Sequence, residues 1–208
     1  MLALALLAVA GFVDAVGFLN LGGLFVSFAS GNSTQFAIRL GGVDAAPGLQ
    51  AGILVGLFVA GVTGGRLVAA AAGTWRRPAI LIAEAALLSA AALVPLAAPH
   101  PAYLMALAMG AQNGVVHKAG QTRTALTYVT GTLVNFGEKL AEALTLTGPA
   151  FAWAPYLLLW AAGLVIGGAA GALAYSAFGL RALLIPVVAA LALAAATGIA
   201  AWRGRAPR

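Results

Sequence analysis

The chain has 208 residues, 62% hydrophobic and 8% charged, with eleven Lys and Arg against five Asp and Glu, two His and no Cys. Soluble domains carry roughly 25% charged residues, so this composition, with a mean hydropathy of +1.01, excludes a water-soluble globule and identifies an integral membrane protein. The basic residues are too few and scattered to track phosphates, which excludes nucleic acid as a partner, and the Cys and His counts exclude disulfides, thiolate chemistry and a multi-His metal site.

A helical crossing needs about 20 mostly apolar residues. Leu2–Leu19 is the first such stretch. Its Ala8-Val9-Ala10 has the small residues of a signal cleavage site, but no positive residue precedes the apolar run, so it is read as a retained span. Leu21–Leu40 follows, apolar but broken by Ser30-Gly31-Asn32-Ser33-Thr34. Gln50–Ala71, Ala79–Ala98 and Ala102–His117 are further predicted spans, the first two joined by a basic turn with Arg76 and Arg77. A second broken segment, Ala119–Leu140, contains Thr130-Gly131-Thr132, and the spans Phe151–Tyr175 and Leu180–Trp202 complete the chain. Ser, Thr and Asn oxygens take up the free N–H groups of a helix's first turn. Each broken segment therefore predicts extended chain followed by a half-helix that starts at its polar cluster. Such backbone is tolerated at membrane depth only where protein buries it or it lines a cavity.

The halves repeat. Gly11-Phe12-Val13-Asp14 aligns with Gly110-Ala111-Gln112-Asn113 at an offset of 99, and Ser30-Gly31-Asn32 aligns with Thr130-Gly131-Thr132 at an offset of 100. The order of elements repeats too, so residues 1–98 and 102–208 are read as two three-span halves of one compact membrane domain. If both broken segments are re-entrant, the chain has six spans and inverted halves. With both termini cytoplasmic, Arg76, Arg77, Lys118, Arg123, Lys139, Arg203, Arg205 and Arg208 then lie inside, and only Arg39 and Arg181 outside. Eight full crossings with parallel halves would divide the same charges five and five. The positive-inside rule favours six spans.

An ionisable group inside a membrane marks a functional site by default. Helical rise puts Asp14 about 18 Å along the first span and Asn113 about 16 Å along the fourth, both near the middle of a core roughly 30 Å thick. Arg66 and Glu84 flank the basic turn at matching depth and are read instead as a structural ion pair. The runs Gly61–Gly65 and Gly163–Gly168 allow close helix approach, within the subunit or at a homodimer face. Neither is a phosphate loop, since no Lys-Ser/Thr follows, and no cofactor is expected. His117 beside Lys118 is read as an interfacial residue, His100 as a loop residue, and Lys139 with Glu138 and Glu142 as the solvated end of the second half-helix.

The stretches AGFVDAVGFLNLGGLFVSFASGNST and AMGAQNGVVHKAG…ALTYVTGTLV resemble the YoaK-like bacterial membrane proteins grouped as domain of unknown function 1275, over nearly the whole chain. The resemblance implies a multi-span bacterial inner-membrane protein and no particular activity. Thr122-Arg123-Thr124 is more polar than the family pattern.

The expected function is a small secondary transporter or permease. Inverted repeats, discontinuous helices and midplane polar groups are its recipe. Half-helix N-termini at Ser30, Gly31 and Asn32 and at Thr130, Gly131 and Thr132 would offer positive ends to a small anionic or polar solute. Asp14 would be the proton-coupling or substrate-binding carboxylate, Asn113 its uncharged counterpart, and Gln35 and Gln112 further polar contacts, all lining one central cavity. The alternatives are a channel and a structural or regulatory membrane protein. An intramembrane enzyme is disfavoured, because Ser27, Ser30 and Ser33 have no histidine at their depth to act as base.

Overall fold

A computed structural model describes residues 2–42, 46–95, 99–115 and 129–203, with residues 46, 47 and 129 described by their backbone alone. Among these residues three helical stretches are long and apolar enough to cross a membrane: Leu2–Leu21, Gly48–Leu93 of 46 residues and Ala154–Arg203 of 50. At 1.5 Å per residue the longer two would extend about 70 Å, more than twice a hydrocarbon core. Each is divided at a glycine instead. Gly73 (φ +55°) opens the 3₁₀ turn Gly73–Trp75, and Gly179 (φ +57°) opens Gly179–Leu183. Only glycine adopts this left-handed backbone without strain. The helices are then α1 Leu2–Leu21, α2 Ala29–Leu40, α3 Ala46–Ala72, α4 Arg76–Leu93, α5 His100–Gln112 and α6 Val129–Leu144. α7, Ala154–Leu158, continues through a π-helical stretch, Leu159–Val165, into α8, Ile166–Phe178, and α9 is Leu184–Arg203.

α1 and α5 form the centre and are apolar and buried on most sides. Close approach at glycines seats their neighbours. A Cβ on Gly167 or Gly171 of α8 would lie 2.4 Å from the carbonyl oxygen of Ala8 or Phe12 of α1. On Gly61 and Gly65 of α3 it would lie 2.2 and 2.7 Å from those of Leu107 and Ala111 of α5. In return, Gly11 of α1 meets Leu164, and Gly110 of α5 meets Phe58. These two interfaces correspond residue for residue. The α5 positions lie 99 after their α1 counterparts, and Gly167 and Gly171 lie 106 after Gly61 and Gly65, the same interval that separates Gly179 from Gly73. Within each interface residue numbers rise together, so α1 runs parallel to α8, and α3 to α5.

Two apolar clusters fill the interior. The first joins Val13 and Val16 of α1, Leu24 and Val26, Leu54 early in α3, Leu88 and Ala91 late in α4, Ala102 and Met105 early in α5, and Leu183 and Val187 at the start of α9. The second joins Leu6 and Leu7, Ala69 late in α3, Ile80 and Leu81 early in α4, Ala111, Val115, and Ala194. Each cluster therefore collects one end of every central helix. α4 and α9 run antiparallel, with Gly198 late in α9 against Trp75 and Pro78 at the start of α4. α1 and α5 run antiparallel as well, since Gln112 at the end of α5 reaches the Leu6 carbonyl near the start of α1. Large apolar side chains such as Leu67, Leu173, Val188 and Ile199 face outward, as lipid contact requires.

The first broken segment is a non-helical stretch followed by a helix, as expected, but residues 22–28 turn and bend rather than run extended, and the helix start differs too. The residue preceding the first turn of α2 is Phe28, without a side-chain cap, and Ser30–Thr34 lie inside the first turns. The Ser33 and Thr34 hydroxyls donate back to the Ala29 and Ser30 carbonyls at 2.8 and 3.2 Å, so they do not cap. In the second broken segment α6 starts at Val129. Residues 119–128, with Thr122, Arg123 and Thr124, lie outside the described residues, as do His117 and Lys118. α2 packs on α3, placing the Phe36 ring over Gly52. α6 packs on α7 and the π-helical stretch, with Phe136 edge-on to Trp153.

Candidate functional site

The chain leaves helix at Gly22 and Gly23 (φ +65° and +121°) and returns to it only at Ala29. Backbone groups in such a segment have no ladder to join and must find other partners when buried. Asp14 supplies them. Its Oδ1 accepts from the Val26 and Ser27 amides at 2.9 and 2.7 Å, and its Oδ2 accepts from the Ser27 hydroxyl at 2.5 Å. Asn32 holds the next residue at both ends: its Oδ1 accepts from the Phe25 amide at 3.1 Å and its Nδ2 donates to the Phe25 carbonyl at 2.6 Å. Asp14, Ser27 and Asn32 are all buried. Gly17 leaves room for Val26, whose Cγ1 would lie 2.7 Å from a Cβ there. Phe25 meets the Phe18 ring at a tilt and the Phe28 ring edge to face.

A second polar group lies at the other cluster. Glu84 is fully buried, and its Oε1 accepts from Gln112 Nε2 at 3.1 Å, an amide that also donates to the Leu6 carbonyl at 3.3 Å. The expected Arg66–Glu84 ion pair is not formed. Arg66 follows Gly65, whose face is pressed on α5, so the next side chain turns about 100° away and is exposed. Lys139 pairs with Glu142 at 2.7 Å on the surface of α6.

Asn113 donates to the Met109 and Gly110 carbonyls at 3.0 and 3.4 Å, and its Oδ1 is buried without a partner. Gln112 beside it stands level with Leu6. Asp14 is eight residues further along α1, or about 12 Å at helical rise. Asp14 and Asn113 are thus offset by about 12 Å along the bundle, where counting along each helix suggested a shared depth. The half-helices are also apart: α2 touches α3, α6 touches α7 and the π-helical stretch, and they do not touch each other. Ser30, Gln35 and Thr130 are exposed, Gly31 and Gly131 partly so, and Thr132 lines a narrow crevice with Leu7, Leu159, Trp160 and Leu164. A larger cavity of about 510 Å³ lies elsewhere, between the end of α4 and Arg181. Of the predicted residues, then, Asp14 and Asn32 are brought together, and Ser27 and Phe25 are partners that the sequence reading did not assign. Their signal was available, since a non-helical buried segment after a carboxylate needs an acceptor for its amides. Among the described residues no group of three His, Asp or Glu is placed to hold a metal.

A family model described as "Protein of unknown function (DUF1275)" matches residues 2–196. A UPF0700 transmembrane protein of Rhizobium meliloti (strain 1021) is 35% identical over 189 residues, covering 90% of this chain and 80% of that protein. No solved structure matches.

Proposed function

The chain belongs to the DUF1275 family, and from that premise we propose that this membrane protein is a small secondary transporter or permease of the bacterial inner membrane. In this reading it has two inverted three-span halves and cytoplasmic termini. The observation that carries it is the break at residues 22–28. The backbone gives up its helix after α1, is held by Asp14 and Asn32, and restarts as α2 at Ala29 without a side-chain cap, with Ser30 and Gly31 in its first turn. Irregular backbone is tolerated at membrane depth where it serves a pathway, and a half-helix N-terminus presents free N–H groups and a partial positive charge to anionic or carbonyl oxygens. In the second half Thr130, Gly131 and Thr132 lie in the first turn of α6.

The inverted arrangement has independent support. Six spans with re-entrant breaks require α4 antiparallel to α9 and α1 antiparallel to α5, whereas eight crossings with parallel halves require both pairs parallel. The contacts of Gly198 with Pro78 and of Gln112 with Leu6 follow the first pattern, as does the loop charge count. Within it, Asp14 acts by positioning the break, and Ser30 and Gly31 meet the small anionic or polar solute. Asn113 and Gln112 stand about 12 Å from Asp14 along the bundle. We read the chain as no enzyme, because Ser27 donates directly to Asp14 with no base between them. The structural or regulatory alternative draws on the same clamp, since its polar atoms are spent on the chain itself.

Thermal-shift screening of the purified protein against small anions and polar metabolites separates the two. A ligand at 100 times its Kd stabilises by about 2.7 kcal/mol. A stabilising solute should then enter proteoliposomes, with or without a pH gradient, and Ser30→Val should slow its entry while leaving the fold intact. Correctly inserted protein that neither binds nor moves any solute would favour the structural role.

A further inference from the structure

Asp14 is surrounded by donors, and Glu84 is not. Glu84 sits in the middle of α4, fully enclosed, with one neutral amide on Oε1 and nothing on Oε2. Taking a full charge out of water without a cation or several donors is among the costliest steps in a protein interior, and a single amide shared with the Leu6 carbonyl does not offset it. Among the described residues, the charged groups of the surrounding elements stand elsewhere. On α4 itself Arg76 and Arg77 are at the first turn, on α3 Arg66 is exposed, Arg181 is exposed in the 3₁₀ turn, and on α9 Arg203 is the last residue. α5 carries no charged residue and begins with His100, and Asp14 of α1 is about 12 Å beyond Leu6 by helical rise. The carboxyl is also no bystander. Through Gln112 it joins α4, α5 and α1 at one point.

We propose that Glu84 is a proton-binding site, the proton residing on Oε2 while Oε1 accepts from Gln112. Release of that proton places a charge at the junction of three helices, so proton occupancy is tied to how their ends pack. The inference goes beyond transport and does not rest on it, because it concerns the resting protein.

Infrared spectroscopy of the full chain in lipid vesicles, with side-chain-carboxyl-labelled glutamate, tests it. The chain has three Glu, and the other two, Glu138 and Glu142, lie on the surface helix α6. A carboxylic-acid carbonyl band should be present at neutral pH, shift with the label, disappear in Glu84→Gln and persist in Asp14→Asn. Wild-type protein alone decides the matter if Glu84→Gln fails to fold, since absence of a label-sensitive acid band overturns the proposal. Persistence of the band in Glu84→Gln overturns it too. So does stabilisation by sodium or potassium that requires Glu84, which would give Oε2 to a metal cation.

Discussion

Removing the Asp14 carboxylate should unfasten residues 22–28 before it affects anything else. Asp14→Ala leaves the Val26 and Ser27 amides and the Ser27 hydroxyl without their acceptors in a buried site. A buried group stripped of its partner costs about 1–3 kcal/mol, so the two amides alone predict a loss of about 2–6 kcal/mol. That is a large part of the roughly 5–15 kcal/mol that holds a typical domain. Asp14→Asn keeps an oxygen for both amides and can donate to the Ser27 oxygen, so it should lose only the charge assistance, about 1 kcal/mol. Thermal unfolding in detergent or nanodiscs would rank the variants, and amide hydrogen exchange on peptides covering residues 22–28 would locate the change. Equal stability of the two variants, or unchanged exchange at Val26 and Ser27 in Asp14→Ala, would refute the clamp.

Asn32→Ala should free Phe25 at both its amide and its carbonyl, costing about 1–3 kcal/mol, with faster exchange at Phe25 as the readout. Gly61→Ala and Gly167→Ala should each destabilise by about 1–3 kcal/mol through overpacking against facing backbone, whereas Gly56→Ala and Gly64→Ala, where a Cβ meets nothing within 4 Å, should be neutral or stabilising in the same unfolding assay. Exchanging charges between Arg66 and Glu84 should recover nothing relative to the worse single variant. A double-mutant coupling beyond about 0.5 kcal/mol would contradict that separation.

Much of this architecture can be read from the residues. Apolar runs located the helices to within a few positions, and the cluster at Ser30 marked where helix resumes after the break at residues 22–28. Gly11 and Gly110, matched at an offset of 99 in the sequence, each meet the backbone of a neighbouring helix, Leu164 and Phe58. What counting could not supply was a common origin and a direction around the axis. Helical rise measures distance from each helix's own first residue, so similar counts for Asp14 and Asn113 concealed an offset of about 12 Å along the bundle. Arg66 and Glu84 matched in depth but not in azimuth, because Gly65 had already committed its face to α5. Gln112 as the partner of Glu84, 28 residues away, and Ser27 as the partner of Asp14, 13 residues away, depend on how separate helices and a non-helical segment come together, which no local pattern encodes.

The inverted arrangement is the central claim, and the two glycine turns test it most directly. A chain without native cysteine allows single probes at Thr74→Cys, in the turn opened by Gly73, and at Phe178→Cys, just before Gly179, both at exposed positions. A membrane-impermeant thiol reagent applied to intact cells should label Phe178→Cys and spare Thr74→Cys, with the pattern reversed in inside-out vesicles. Labelling of both from the same side would contradict inverted halves and establish parallel ones.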